Sequence, residues 1–192
     1  MSELPLIAVT DSATCPRPLA EQIKRLTKLT ELRPQAVILR AKSLDKTAYR
    51  MLALQAQQSC ETAGIPLILH SDCQMARELG VKNLHLPLAL LRQLPAYERT
   101  HFTRLSTSVH SVEEAIEAQA LGSTMLVAGH IYTTQCKAGL APRGLGFLQA
   151  VCSAVSLPVY AIGGIGFDAA QHAELKANGA RGACVMSAYM RL

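Results

Sequence analysis

The sequence predicts a (β/α)8 TIM barrel of the α/β class, compact, with a short or missing final helix. Three observations predict this fold. Short apolar runs recur along the 192 residues, each is followed by a longer segment of helical character, and this alternation occurs about eight times. Eight strand–helix units close naturally into a barrel. We expect one barrel domain over residues 1–192, with an open doubly wound sheet as the alternative fold.

Eight apolar runs are predicted to form the strands. Most are bounded by Gly, Pro or Asn, and several are apolar without alternation, which is typical of parallel strands covered on both faces. These runs are residues 6–10, 36–40, 66–70, 83–86, 104–109, 125–129, 158–162 and 182–186. The chain ends soon after the eighth run, so the last helix is expected to be short or missing.

The segments between these runs carry helix signals. Apolar residues recur near helical spacing between residues 43 and 63. Ser111 and Glu114 have the spacing of a capping box, which predicts a helix from there through Leu121. Four helices are expected to end at glycines that precede a strand. These glycines are Gly64, Gly80, Gly122 and Gly179.

Composition narrows the class of protein. No apolar run reaches the ~18 residues of a membrane span, and the N-terminus lacks a secretory pattern, so we expect a cytoplasmic protein. Six cysteines occur without a CxxC pair, which indicates free thiols. The net charge is +5, but aromatic residues make up only 4% and Trp is absent. We therefore expect no nucleic-acid or membrane partner, but a small phosphorylated substrate.

Two glycine- and serine-containing turns are predicted to bind phosphate. In a TIM barrel the active site lies at the carboxyl ends of the strands. There, "AIGGIG" ends the seventh strand and "VMSA" ends the eighth, and backbone amides in such turns can bind an anion. The predicted phosphate-binding residues are Gly163, Gly164, Met186 and Ser187. A tight turn that needs glycine for its φ angles is the alternative explanation.

Cations from two further strand ends are candidates for substrate binding. Arg40 and Lys42 follow the second strand, and Lys137 and Arg143 lie in the loop after the sixth. A solvated surface charge is the alternative for each of them. Arg40 directly follows the apolar run "AVIL", so its side chain is expected at the mouth of the barrel.

Four histidines lie at or near strand ends, and His130 stands out among them. It follows Gly129 and precedes a loop that could hold a substrate, and an imidazole can both take and return a proton near neutral pH. Few carboxylates accompany these histidines, so we predict no metal site. His85 is expected to be a hydrogen-bonded structural residue. Cys136 is a candidate nucleophile with His130 as its base, and an inert thiol is the alternative.

Six segments, taken in order, resemble the thiamine phosphate synthase/TenI superfamily. The resemblance covers nearly the whole chain and implies a (β/α)8 barrel. The segments are "VTD" (9–11), "LRAKS" (39–43), "SVHSVEEAIEA" (108–118), "GHIYTTQCKAGLAPRG" (129–144), "PVYAIGGI" (158–165) and "GACVMSA" (182–188).

The synthase branch of this superfamily joins a pyrimidine diphosphate to a thiazole phosphate and uses magnesium. Its third strand usually ends in Asn-Asp, where this chain has His70 and Ser71. Its fourth strand is usually followed by Gly-Gln and an Asp, where this chain has "PLAL" at residues 87–90. Both magnesium carboxylates of that pattern are therefore absent from the sequence. The residues that match its diphosphate-binding pattern are Arg40, Lys42, Ser108 and Lys137.

The TenI branch is similar at the segment 129–144. Its form Gly-His-x-(Phe/Tyr)-x-Thr-x-Cys-Lys-x-Gly-Leu-x-x-Arg-Gly is met at every specified position. This resemblance implies an isomerase, a thiazole tautomerase, which aromatises a thiazole carboxylate phosphate without a cofactor or metal. His130 would be its catalytic base and then its acid, and Thr134 would contact the substrate. Arg40, Lys42 or Lys137 would hold the ring carboxylate.

Three functions therefore follow from the sequence. The first expectation is the thiazole tautomerase, acting on a thiazole phosphate. The alternatives are a thiamine phosphate synthase and a non-catalytic barrel that binds thiamine-pathway phosphates in a regulatory role. The sequence leaves the oligomeric state open, and a homodimer is one arrangement it allows.

Overall fold

Eight parallel strands close into a barrel in the computed structural model, which describes residues 4–192. Each strand pairs with the next along the chain, and the first also pairs with the eighth, so that Ile7 lies between Ala36 and Cys184. The predicted TIM barrel is confirmed, because the pairing of the first strand with the eighth closes the sheet, whereas an open sheet has two edge strands that do not pair with each other. The strands are β1 (Leu6–Val9), β2 (Ala36–Leu39), β3 (Leu67–His70), β4 (Asn83–Pro87), β5 (Arg104–Val109), β6 (Met125–Gly129), β7 (Val159–Ile162) and β8 (Gly182–Val185).

Helices follow the strands around the barrel. They are α1 (Leu19–Leu26), α2 (Lys46–Ala63), α3 (Cys73–Glu78), α4 (Leu88–Gln93), α5 (Ala96–Arg99), α6 (Val112–Ala120), α7 (Gly144–Ala154), α8 (Ala169–Ala177) and α9 (Ser187–Arg191), with a 3-10 turn at Gln135–Lys137. The last helix is five residues long, as the short remainder of the chain predicted. None of the helices in the described part of the chain is long and apolar enough to cross a membrane.

Local signals set several element ends. The capping box is present at the start of α6, where the hydroxyl of Ser111 accepts a hydrogen bond from the amide of Glu114 at 3.1 Å. The carboxylate of Glu114 in turn accepts from the amide of His110 at 2.6 Å. Gly64 ends α2 in the left-handed conformation. The predicted strands 6–10, 36–40 and 182–186 extend one residue too far, because β1, β2 and β8 end at Val9, Leu39 and Val185.

The inside of the barrel is mostly apolar, and β4 and β5 contribute several polar side chains to it. Side chains alternate between the interior and the surrounding helices, since successive residues of a strand point to opposite faces. On β4 and β5 the residues that alternate with the buried leucines are His85, Ser106 and Ser108. The apolar interior cluster consists of Ile7, Val9, Ala36, Ile38, Ile68, Met125, Val127 and Cys184.

Candidate active site at the carboxyl end of the barrel

The predicted site residues gather at one end of the barrel. Each follows or ends a strand at its carboxyl end, and all eight strands run in the same direction, so their ends share one mouth. Register places the loops after β7 and β8 side by side, since Ile162 is paired with Cys184. The residues involved are Arg40, Lys42, Ser108, His130, Thr134, Lys137, Gly163, Gly164, Met186 and Ser187.

The double glycine after β7 packs against the chain after β6. The amide of Ile131 donates to the carbonyl of Ile162 at 2.9 Å, and the amide of Tyr132 donates to the carbonyl of Gly163 at 3.0 Å. Gly163 has a φ of +104°, and a Cβ there would overlap the side chain of His130. Glycine is therefore required at position 163 for two reasons: its φ is positive, and the backbone there lies too close to His130 to leave room for a Cβ. The contact brings His130 and the predicted phosphate loop together.

Backbone amides are available at this predicted phosphate loop. Within residues 4–192, the amides of Gly164 and Ser187 donate to no protein acceptor. Gln171 holds the loop in shape, because its Oε1 accepts from the amide of Gly166 at 2.9 Å and its Nε2 donates to the carbonyl of Gly164 at 3.0 Å. The turn can thus present donors to an anion.

His130 lies under the loop that follows β6. It is 6% exposed, and its Nε2 lies 3.3 Å from the carbonyl oxygen of Leu140. Because a carbonyl only accepts, Nε2 carries the proton in this arrangement. The loop closes where the amide of Arg143 donates to the carbonyl of His130 at 2.9 Å. His130 is therefore enclosed between this loop and Gly163.

The same loop presents exposed polar groups above His130. Lys137 and Cys136 are exposed in the 3-10 turn, and Thr134 is half-buried just before it. Among the described residues the Lys137 ammonium has no hydrogen-bond or ion-pair partner. No hydrogen bond joins Cys136 to His130, whose Nε2 is directed at Leu140 instead.

The guanidinium of Arg40 is already paired within the protein. It contacts the carboxylate of Asp11, while the Arg40 backbone exchanges two hydrogen bonds with the hydroxyl of Thr10, at 2.8 and 2.9 Å. Arg40 is thus fixed at the mouth, but part of its charge is neutralised. Lys42 is exposed two residues further on. The pairing of Arg40 with Asp11 was not predicted from the sequence.

Two imidazoles lie below these cations, inside the mouth. The rings of His70 and His85 have centroids 5.5 Å apart. Burial, followed by the positive charges of Arg40 and Lys42, lowers the pKa of His70 to about 4. Burial, followed by His70, lowers the pKa of His85 to about 3. Both rings are therefore uncharged near neutral pH.

Serine hydroxyls and backbone carbonyls form hydrogen bonds with the histidines at this end of the barrel. Nδ1 of His70 lies 2.8 Å from the hydroxyl of Ser71, and His85 contacts Ser106 and Ser108 with its two nitrogens. Nδ1 of His110 donates to the carbonyl of Gly129 at 2.7 Å. His85 is hydrogen-bonded, as expected, and its partner Ser108 lies near the carboxyl end of β5, at the mouth of the barrel.

The magnesium ion implied by the synthase resemblance does not fit the residues present. Asp72 caps α3, accepting from the amide of Met75 at 2.8 Å, and Asp11 is paired with Arg40. No cluster of three or more histidine, cysteine or carboxylate ligands occurs between residues 4 and 192. Magnesium prefers carboxylate and other oxygen ligands, whereas β3 ends in His70 and β4 ends in Pro87.

Comparison with known proteins identifies the family. The profile of the TMP-TENI family, described as thiamine monophosphate synthase, matches residues 6–189. A thiamine-phosphate synthase of Syntrophomonas wolfei is 30% identical over 98% of this chain and 90% of its own length. One from Lacticaseibacillus paracasei is 32% identical over 81% of this chain and 72% of its own. The structure of thiamine phosphate pyrophosphorylase from Pyrococcus furiosus superposes with a TM-score of 0.80 at 24% identity, covering 98% of this chain and 88% of that one, which supports the fold alone.

The prediction of an isomerase is wrong. It depended on the segment 129–144, which forms one loop at the mouth of the barrel. The relatives whose similarity extends over the barrel carry the name thiamine-phosphate synthase, which denotes a transferase. A loop motif alone therefore did not determine the reaction. Since the family profile covers nearly every strand and helix of the barrel, this chain belongs to the TMP-TENI family of thiamine monophosphate synthases.

Proposed function

We propose that this chain is a transferase that joins a pyrimidine diphosphate to a thiazole phosphate, forming thiamine phosphate and releasing diphosphate. The observation that carries this proposal is the family match over residues 6–189. A second observation supports it: the predicted phosphate loop after β7 lies at the same end of the barrel as Arg40, Lys42 and Lys137. In this reaction the departing diphosphate gains negative charge, and the thiazole phosphate must be held beside it.

The thiazole phosphate would bind at the turns after β7 and β8. Gly164 and Ser187 would donate their backbone amides to its oxygens, because neither amide has a protein acceptor among the described residues. Gly163 allows the chain to approach His130 closely, and Met186 directly precedes α9. A preorganised set of backbone donors is an effective anion site, since it needs no rearrangement when the ligand binds.

The diphosphate would be held by side-chain cations. Lys42 and Lys137 extend from two loops that flank the mouth, and Arg40 contributes the charge that Asp11 does not neutralise. Cations placed where charge develops stabilise a leaving group. Because the carboxylates for magnesium are missing, this charge stabilisation is assigned to Arg40, Lys42 and Lys137. His130 would remain uninvolved in proton transfer and would support the loop that carries Lys137.

A coupling assay tests the transferase. Purified protein is incubated with both precursors, with added magnesium and with a chelator, and thiamine phosphate and diphosphate are measured together. We expect equal amounts of the two products, and a loss of about 100-fold in kcat for Lys137→Ala, as for removal of one charge-stabilising donor. The control is Lys28→Ala, which removes the same charge from an exposed residue of the α1–β2 loop. Absence of both products at high protein concentration would contradict the proposal.

A second candidate is a non-catalytic barrel that binds the thiazole phosphate. Two observations favour it: His70 and Ser71 stand where the synthase pattern has Asn-Asp, and the segment 129–144 resembles the TenI branch. Calorimetry with the thiazole phosphate alone separates the two candidates. Binding without any coupling of the precursors selects this second function, and binding with coupling selects the transferase.

A further inference from the structure

A tyrosine in the loop after β6 is hydrogen-bonded to a helix on the outside of the barrel. The hydroxyl of Tyr132 donates to Oε2 of Glu174 on α8 at 3.1 Å. Burial, followed by the hydrogen bond and the negative charge of Glu174, raises the pKa of Tyr132 to about 12, so the hydroxyl keeps its proton near neutral pH. The direction of the hydrogen bond is fixed, because an ionised carboxylate can only accept. The function proposed above uses neither Tyr132 nor Glu174.

Tyr132 also lies against the predicted phosphate loop. Its amide donates to the carbonyl of Gly163 at 3.0 Å, and a Cβ on Gly164 would lie 2.8 Å from the Cβ of Tyr132. Gln171, three residues before Glu174 on α8, holds the same loop by two hydrogen bonds. Residues three apart are neighbours on the surface of a helix. One face of α8 therefore bonds both to the phosphate loop and to the loop after β6.

The rest of the loop after β6 has few anchors. Between Thr133 and Pro142, no side chain of the loop forms a hydrogen bond or an ion pair with the part of the chain that the structure describes, and most of these residues are exposed. The backbone is held at Leu140, whose carbonyl accepts from the imidazole of His130. The place of Lys137 at the mouth therefore depends on these backbone contacts and on Tyr132, at the start of the loop.

We propose that Glu174 is a positioning residue, which acts through the hydroxyl of Tyr132 to hold the loop of Lys137 beside the predicted phosphate loop. This step rests on the proposed function, in which the ammonium of Lys137 binds the diphosphate. A loop that is already fixed loses less conformational entropy when its lysine binds an anion. The hydrogen bond thus raises the affinity for diphosphate, although neither Tyr132 nor Glu174 contacts the ligand.

Hydrogen exchange tests the anchoring without any ligand. Exchange of the backbone amides of residues 131–144 is followed by mass spectrometry in the wild type, Tyr132→Phe, Glu174→Ala and Glu174→Gln. We expect about fivefold faster exchange in Tyr132→Phe and Glu174→Ala, the effect of losing one hydrogen bond. Glu174→Gln should exchange nearly as the wild type does, because its amide oxygen still accepts from Tyr132.

Tyr97→Phe is the control for this experiment, since it removes the same hydroxyl from an exposed residue of α5, and it should leave the exchange of residues 131–144 unchanged. Two results would overturn the inference, whatever the outcome of the coupling assay. One is unchanged exchange in Tyr132→Phe. The other is exchange in Glu174→Gln that is as fast as in Glu174→Ala.

Diphosphate binding tests the action through Lys137. The Kd of inorganic diphosphate is measured by calorimetry for the wild type, Tyr132→Phe, Lys137→Ala and the double variant. We expect Tyr132→Phe to raise the Kd about threefold to fivefold when Lys137 is present, and to leave it unchanged in the Lys137→Ala background. Equal increases in both backgrounds, or none in either, would overturn the inference.

The same measurements separate this inference from the proposed function. A Kd that Lys137→Ala leaves unchanged would overturn both the inference and the assignment of Lys137 to the diphosphate. Failure of the coupling reaction, together with the expected exchange rates and Kd values, would overturn only the proposed function.

Discussion

Gly163 lies directly against His130, so closely that a Cβ atom on residue 163 would be 2.7 Å from the Cα of His130. This contact joins the loop after β7 to the chain that leaves β6. It also fixes the spacing between the enclosed imidazole and the predicted phosphate loop. The positive φ of Gly163 belongs to a region that residues with a Cβ rarely adopt.

Gly163→Ala is therefore expected to destabilise the protein and to weaken phosphate binding. The strain of a positive φ costs about 1–2 kcal/mol, and the overlap with His130 adds to it. We expect the free energy of unfolding in urea to fall by about 2–4 kcal/mol, with weaker binding of the thiazole phosphate. The matched control is Gly166→Ala, since a Cβ at 166 meets no atom within 4 Å. Equal losses in the two variants would show that the contact is unimportant.

Asp11→Asn is expected to strengthen the binding of inorganic diphosphate. The carboxylate of Asp11 neutralises part of the Arg40 charge at the mouth, and its removal leaves the guanidinium available to an anion. The ion pair is partly exposed, so we expect a gain of about 1 kcal/mol, or about fivefold in Kd, by calorimetry. Glu78→Gln is the control, because it makes the same charge change in the Arg50–Glu78 pair on the outer helices. Unchanged or weaker binding in Asp11→Asn would contradict the assignment of Arg40.

The buried imidazoles predict how stability depends on pH. Folding lowers the pKa of His70 to about 4 from an ordinary value of 6.5, so the unfolded chain binds a proton more readily than the folded one. The free energy of unfolding is therefore highest above about pH 6.5 and falls as the pH drops towards about 4, by about 1.4 kcal/mol per unit for each such histidine. The charged or titratable groups around His70 include Arg40, Lys42, Tyr49 and His85.

Urea unfolding at several pH values checks this dependence. His70→Gln is expected to reduce the slope between about pH 6.5 and pH 4 without abolishing it, because His85 contributes in the same direction. The exposed His101→Gln is the control and is expected to keep the wild-type slope. A His70→Gln protein with the slope of the wild type would show that His70 is not held uncharged by the fold.

Local sequence signals were sufficient for the fold and for part of the site. The barrel follows from eight apolar runs separated by helical segments, and the helix ends follow from residues such as Ser111 and Gly64. These features depend on neighbours within a few residues. The positions of His130 and the double glycine were likewise predictable, since strand ends of a barrel share one face.

Side-chain contacts between neighbouring strands could not be predicted from the sequence. The contacts of His85 with Ser106 and Ser108 depend on the register of β4 and β5, in which His85 lies opposite Ser106. The pairing of Arg40 with Asp11 likewise depends on how two loops leave neighbouring strands. Register shifts by one residue would turn these groups outward, so the polar interior could be described only from the structure.

Gln171→Ala is expected to loosen the phosphate loop more than it destabilises the protein. Its side-chain amide makes two hydrogen bonds to the loop, with the amide of Gly166 and the carbonyl of Gly164. Loss of both removes the constraint that orients the Gly164 amide, so the Kd for the thiazole phosphate should rise about fivefold to tenfold, while the free energy of unfolding falls by about 1 kcal/mol. Gln149→Ala, an exposed change on α7, is the control and should alter neither quantity. If Gln171→Ala binds the thiazole phosphate as tightly as Gln149→Ala does, the anion does not lie on this loop.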